Sequence, residues 1–247
     1  MVRSAPHGRG DITLKRPVLC LVTSRRRLAA RLGCDAEGAD IAGALVDQAE
    51  AAAAAGVALV QLREPGCAAG PLVGLARALS AALEPYGARL VVNDRVDVAL
   101  AAGAGGVHLK ASSVTVAEAR RLVGGVGLVG RSVHGPSEVQ AAAGADYLLF
   151  GTVFPTPSKP GARDLAGTAG LTAAVKAAGA TPVLAIGGVT AESARHLAAT
   201  GAAGLAAIGA FLPERGRDLR QSVQRAARRL QMAFDSTVAL SYHDRNA

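Results

Sequence analysis

Eight short apolar runs recur at roughly even intervals along the chain: PVLCLVT (17–23), VALVQLR (57–63), RLVVND (89–94), GVHL (106–109), LVGRS (128–132), YLLFG (147–151), PVLAI (182–186) and GLAAIG (204–209). They are rich in Val and Leu and lack clean alternation, the pattern of strands buried on both faces of a parallel sheet. Between them lie alanine-rich stretches of helical period, among them DIAGALVDQAEAAAAAG, TVAEARRLVGG, PSEVQAAAGA and TAESARHLAATGA. Most close on a glycine just before the next run, the usual helix-ending signal. A strand–helix unit repeated eight times in 247 residues predicts the α/β class and a single (β/α)8, or TIM, barrel over 17–232. A doubly wound open sheet, usually of about five or six strands, fits the count less well. Residues 1–16 read as a disordered basic tail and 233–247 as a flexible C-terminal tail.

A barrel places its chemistry at the C-terminal ends of its strands, and polar residues collect there in this chain. They are Gln61 and Arg63 after the second run, Asn93 and Asp94 after the third, His108 within the fourth, and Ser132 and His134 after the fifth. Thr156, Ser158 and Lys159 follow the sixth, Gly187 and Gly188 the seventh, and Ile208 and Gly209 end the eighth. Gln61, Arg63 and Lys159 are long side chains whose ends need polar partners. Ser112 and Thr190 read as helix caps. The glycines after the last two runs let backbone amides approach a ligand and predict a phosphate cradle. His108 reads as a packed, hydrogen-bonded core histidine, Tyr147 and Phe150 as barrel fillers, and His196 as an outer-face residue. Glu64 reads equally as a helix-start carboxylate or as a substrate neighbour.

Composition narrows the function classes. Half of the residues are hydrophobic, tryptophan is absent and aromatics are few, so the core is aliphatic. No apolar run approaches the roughly 20 residues of a membrane span. Three cysteines without ligand-like spacing predict reduced thiols in a cytoplasmic protein, with neither a disulfide framework nor a zinc site. The net charge of +8 sits in the N-terminal tail, in SRRRLAAR and in RGRDLRQSVQRAARR. Without interleaved aromatics this excludes nucleic acid as the expected partner. It predicts solvated helix faces and a mild positive field that steers phosphorylated metabolites.

The motifs VQLRE, VVNDRVDVALAAGAGGVHL, GRSVH, GADYLLFGTVFPTPSKPG and VLAIGGVTAESARHLAATGAAGLAAIGAF together resemble the thiamin phosphate synthase/TenI family over residues 17–212. The resemblance implies a phosphorylated thiazole as small-molecule partner. Synthases of the family join it to a pyrimidine pyrophosphate and expel pyrophosphate, whereas the TenI branch tautomerises a thiazole carboxylate phosphate to its aromatic form. Synthases read QLREK and HLGQED, where this chain reads QLREP and HLKASS. Pro65 thus stands in place of a lysine and Ser113 in place of a metal-binding aspartate, while Asp94, Arg63 and Lys159 remain. Lys110 adds a positive charge to the altered fourth loop but cannot serve as a magnesium ligand.

The fifth-run GRSVH resembles the TenI version, which implies that His134 shuttles a proton beside the thiazole ring. Gln61, Arg63, Asn93, Ser132, Thr156, Ser158, Lys159, Gly187, Gly188, Ile208 and Gly209 are then substrate-binding, with Lys159, Thr156 and Ser158 facing the carboxylate or a second anion. The expectation is a TenI-like tautomerase needing no cofactor. The alternatives are a synthase with Mg2+ at a modified Asp94 site, or a non-catalytic thiazole-phosphate-binding regulatory barrel. A homo-oligomer stays open.

Overall fold

The computed structural model describes residues 16–38, 40–124, 127–157 and 165–243, with side chains described as far as residue 236. Eight parallel strands close on themselves in chain order, each hydrogen-bonded to the next and the eighth to the first. They are β1 (Val18–Val22), β2 (Leu59–Leu62), β3 (Arg89–Asn93), β4 (Gly106–Leu109), β5 (Leu128–Val133), β6 (Tyr147–Phe150), β7 (Val183–Ile186) and β8 (Gly204–Ala207). Closure is sealed where Val18 pairs with Gly204 and Leu21 with Ala207. Each predicted run contains one strand, and the (β/α)8 barrel expectation holds.

The helices are α1 (Arg25–Leu32), α2 (Asp40–Ala54), α3 (Ala69–Leu83), α4 (Val96–Ala102), α5 (Val116–Val123), α6 (Pro136–Ala141), α7 (Gly167–Ala178), α8 (Ala191–Ala198) and α9 (Leu219–His243). Left-handed glycines end α1 and α4 at Gly33 and Gly103, as the glycine punctuation predicts. Thr190 caps α8 in a reciprocal capping box with Ser193. Ser112 is not the cap of α5. Thr115 takes that role, its side chain accepting from the Glu118 amide while the Glu118 carboxylate accepts from the Thr115 amide. The tail expected from 233 onward is also corrected. Val223, Ala227, Leu230 and Phe234 form one buried stripe, so helical packing carries past residue 232, and α9 runs to His243 against α2 and α8. Residues 1–15 lie outside the described residues.

Strand parity divides the core in two. Val18, Cys20, Val22, Leu59, Val91, Leu128, Tyr147, Leu149, Leu184 and Ala206 pack together inside the barrel. Leu19, Leu21, Val60, Leu62, Val92, Val107, Leu109, Val129, Leu148 and Phe150 pack outward beneath the helices. Phe150 therefore fills the strand–helix layer, while Tyr147 fills the barrel interior. The period of two puts Gln61, Asn93, His108 and Ser132 on the inward face as well.

His108 is fully buried between two hydroxyls. Its Nδ1 lies 3.0 Å from the Tyr147 hydroxyl and its Nε2 lies 2.8 Å from Ser132 Oγ. It is the paired core histidine that the sequence predicts. Burial, followed by the nearby Arg131 charge, depresses its pKa to about 3. Cys20, also buried in this interior, has its thiol pushed up to about 12 by burial. Cys20, Cys34 and Cys67 are all free thiols.

Two predictions follow from this packing. At Gly130 a Cβ would fall 2.2 Å from Tyr147 Cζ. Gly130→Ala is therefore expected to lower unfolding free energy by about 1–3 kcal/mol through overpacking. Gly43→Ala, on the exposed face of α2 with nothing within 4 Å, should raise it by roughly 0.5–1 kcal/mol. Urea titrations of both variants check the pair. The second concerns acid. Between pH 6.5 and about 3 His108 is protonated when unfolded but neutral when folded, so the unfolded chain binds the extra proton and stability falls as pH falls. His108→Asn should flatten the stability–pH slope across that window by up to about 1.4 kcal/mol per pH unit, read from urea midpoints at a series of pH values.

Candidate active site at the barrel mouth

At the mouth the inward residues form a polar floor. Gln61 is 3% exposed, and its Nε2 donates to Asn93 Oδ1 at 2.9 Å. Gln61 Oε1 is left buried without a partner. A buried acceptor of this kind calls for a donor, and the mouth is where a ligand N–H or O–H can supply one. Ser132, half-buried and hydrogen-bonded to His108, is the next polar group around the barrel. Arg63 is exposed, and its guanidinium makes no hydrogen bond or ion pair among the described residues.

Glu64 is assigned by the structure to a helix start. It accepts from Thr23 Oγ1 at 2.6 Å and from the Arg25 backbone amide at 3.0 Å, fixing the first turn of α1. Burial outweighs these bonds and raises its pKa.

Asp94 follows β3 with φ at +64°, a left-handed conformation that aspartate tolerates better than most residues. Its carboxylate is already engaged. One oxygen accepts from Ser113 Oγ and the other pairs with the Lys110 ammonium. Burial pushes its pKa up, but the bonds to Lys110 and Ser113 outweigh that and hold it below the ordinary carboxylate range. The loop that brings these two residues in is braced by Arg131, whose guanidinium donates to the carbonyls of Ala111 and Val114 at 2.8 and 2.7 Å. That brace was invisible in the sequence, because Arg131 sits on the outward parity of β5 and its partners are backbone atoms.

The donor set here fits a divalent ion poorly. Mg2+ takes one or two carboxylates and keeps most of its waters, whereas the single carboxylate of Asp94 is already neutralised by an ammonium and Ser113 offers only a hydroxyl. Among the described residues no group of three His, Cys, Asp or Glu side chains is placed to hold a metal.

His134 follows β5 at the rim and is exposed. Its Nδ1 lies 3.0 Å from Glu138 Oε2, and its backbone amide donates to the same oxygen at 3.1 Å. The carboxylate fixes the imidazole by one nitrogen and leaves Nε2 available.

Further round the ring, after β7 and β8, lies the cradle. Gly187 and Gly188 have φ of +104° and +62°, and a Cβ at either would come within 2.6 Å of Thr152 or Phe154. Glycine is required at both, because the loop after β6 docks directly on the loop after β7 through Val153 N to Ile186 O and Phe154 N to Gly187 O. Gly187, Gly188, Ile208, Gly209 and Thr156 line a cavity of about 470 Å3. Arg27 of α1 joins them, its guanidinium lying 3.3 Å from where a Gly209 Cβ would be. Sequence reading counted Arg27 as part of a solvated helix face; only its position beside Gly209 in space brings it to the cradle. Ser158 and Lys159 lie outside the described residues.

Comparison with known proteins agrees with this geometry. Residues 13–211 match the family model described as thiamine monophosphate synthase. A thiamine-phosphate synthase of Methanoculleus marisnigri is 43% identical over 170 residues, covering 68% of this chain and 80% of that protein. One from Thermus thermophilus is 40% identical over 185 residues, covering 72% and 88%. The solved thiamine phosphate pyrophosphorylase of Pyrococcus furiosus superposes with a TM-score of 0.71 at 28% identity, covering 89% of this chain and 96% of that one. With the family model matched over residues 13–211 and relatives 40% or more identical covering over two thirds of it, the chain belongs to the thiamine monophosphate synthase family of thiamin biosynthesis enzymes.

Proposed function

We propose that this family member is an isomerase: a tautomerase that aromatises a thiazole carboxylate phosphate by moving a proton, without a metal. The observation that carries it is the closed ion pair at Asp94. Condensation with release of pyrophosphate demands strong neutralisation of a departing polyanion, typically by a divalent ion with cationic side chains. Lys110 and Ser113 occupy the carboxylate that would hold that ion, and Pro65 offers no cation. Tautomerisation makes no such demand. It needs one group that takes a proton from a ring carbon and returns it to an exocyclic carbon, with no co-reactant. His134, held by Glu138 at Nδ1, presents Nε2 for both transfers. The phosphate is held by the amides of Gly187, Gly188 and Gly209 with Arg27, and the ring lies toward Gln61, Asn93 and Ser132.

The transferase is the second reading. It is favoured by the names of the relatives and by the unpartnered Gln61 Oε1, which an aminopyrimidine N–H could fill. Among the described residues no helix is long and apolar enough to cross a membrane, and the three cysteines are free thiols.

The deciding measurement follows ring aromatisation by ultraviolet absorbance with and without EDTA. Wild-type turnover is expected to be unaffected by EDTA, and His134→Gln is expected to lose a factor of about 10²–10⁴ in kcat with little change in KM. Wild-type protein that leaves this substrate unchanged but condenses thiazole phosphate with a pyrimidine pyrophosphate in Mg2+ would replace this function with the transferase.

A further inference from the structure

The cavity at the cradle is larger than one phosphate requires and continues away from the polar floor. None of Gln61, Asn93, Ser132 or His134 lines it. Its outer wall is instead the face of α9 carrying Ser222, Arg225 and Arg229, the two arginines one helical turn apart on the same side. With Arg27 they bring three guanidinium groups to one cavity, and none of the three makes a hydrogen bond or ion pair among the described residues. The one acidic lining residue, Glu214, is turned to its own partner Arg217 at 3.8 Å. Arg27 is half-buried, and its pKa is lowered by burial and then by Arg31, as expected for a cation lacking a nearby anion.

We propose that the glycine cradle and the arginines of α1 and α9 form one composite site for a diphosphate ester. One phosphoryl group sits on the amides of Gly188 and Gly209 beside Arg27, and the second is bound by Arg225 and Arg229. Guanidinium forks suit this task because they offer paired donors to phosphoryl oxygens. The site shares its inner half with the substrate monophosphate, so a diphosphate ester bound there competes with substrate and restrains the enzyme. The inference rests on the cradle reading but not on which reaction the enzyme performs.

Calorimetric titration with inorganic phosphate and with inorganic pyrophosphate, without divalent ions and at fixed ionic strength, tests it. Wild type is expected to bind pyrophosphate roughly tenfold or more tightly than phosphate, about the net contribution of one charge-assisted hydrogen bond. The Arg225→Ala/Arg229→Ala variant should bind phosphate as wild type does but lose that preference. Equal affinities in wild type would overturn the composite site while leaving the cradle standing. A preference that survives the double substitution would also overturn it, assigning the pyrophosphate to the barrel mouth near Arg63. Failure of wild type to bind either anion would overturn the cradle and the composite site together.

Discussion

Closure of the sheet is the constraint on which the rest depends. A parallel strand buried on both faces has no solvent side, so every residue along it belongs to one of two packed layers. In this chain the outward layer is apolar apart from Arg131 in β5, and it fastens the helices to the barrel. The inward layer is aliphatic only toward the bottom and middle, where Val18, Leu59, Val91 and Leu128 meet. Further up, the same parity delivers Gln61, Asn93, His108 and Ser132. Nothing local selects these four as a group. They converge because strand register is fixed around the ring, with Asn93 opposite His108 and His108 opposite Gly130. Gly130 is itself set by the ring, since only a residue without Cβ leaves room for the Tyr147 phenol that reaches His108.

That dependence explains what was readable in the sequence. Strands were legible because two-sided burial writes an uninterrupted apolar run, and the loops were legible because chemistry in this fold sits immediately after each run. His108 was recognisable as a core residue from its position inside a run. What escaped were relations between distant segments. Arg131 is a polar residue within a strand, and its partners are carbonyls of a loop whose path no propensity predicts. Arg27 lies in an arginine run that reads as solvated, yet its tip ends beside Gly209, about 180 positions away in sequence. Glu64 closes the motif QLRE and could have faced substrate. The tertiary approach of α1 gave it the Arg25 amide instead. The helical run beyond residue 232 was missed because its apolar stripe is sparse and only the packing surface of α2 and α8 makes it a buried face.

The charges at the mouth are arranged by the same geometry into two unlike regions. On the side of β3 and β4 an anion, Asp94 after β3, is matched by a cation, Lys110, supplied from the loop after β4, so the pair presents little net field to a ligand. On the side of β7, β8, α1 and α9 the reverse holds: Arg27, Arg225 and Arg229 gather near backbone amides, and none of the three is paired with a carboxylate among the described residues. An ammonium placed at Asp94 and a divalent ion placed there are not equivalent. Both neutralise the carboxylate, but only an ion with vacant coordination positions can bind further phosphate oxygens. Lys110 in this arrangement has used its charge.

In the proposed function, phosphate recognition is therefore concentrated in a single region beyond the strand ends, and the reacting ring is held by neutral hydrogen-bonding groups. A neutral floor suits chemistry in which charge is redistributed within the ring and no leaving group departs. The free Oε1 of Gln61 and the hydroxyl of Ser132 can orient a heterocycle without stabilising a departing anion. The buried His108, kept neutral by its surroundings, can fix the Ser132 hydroxyl but cannot itself bring positive charge to the mouth. The imidazole that the proposed function uses for proton transfer, His134, is at the rim on the carboxylate of Glu138. The proposed function thereby places proton movement at the rim after β5 and phosphate anchoring at the loops after β7 and β8, with the ring between them.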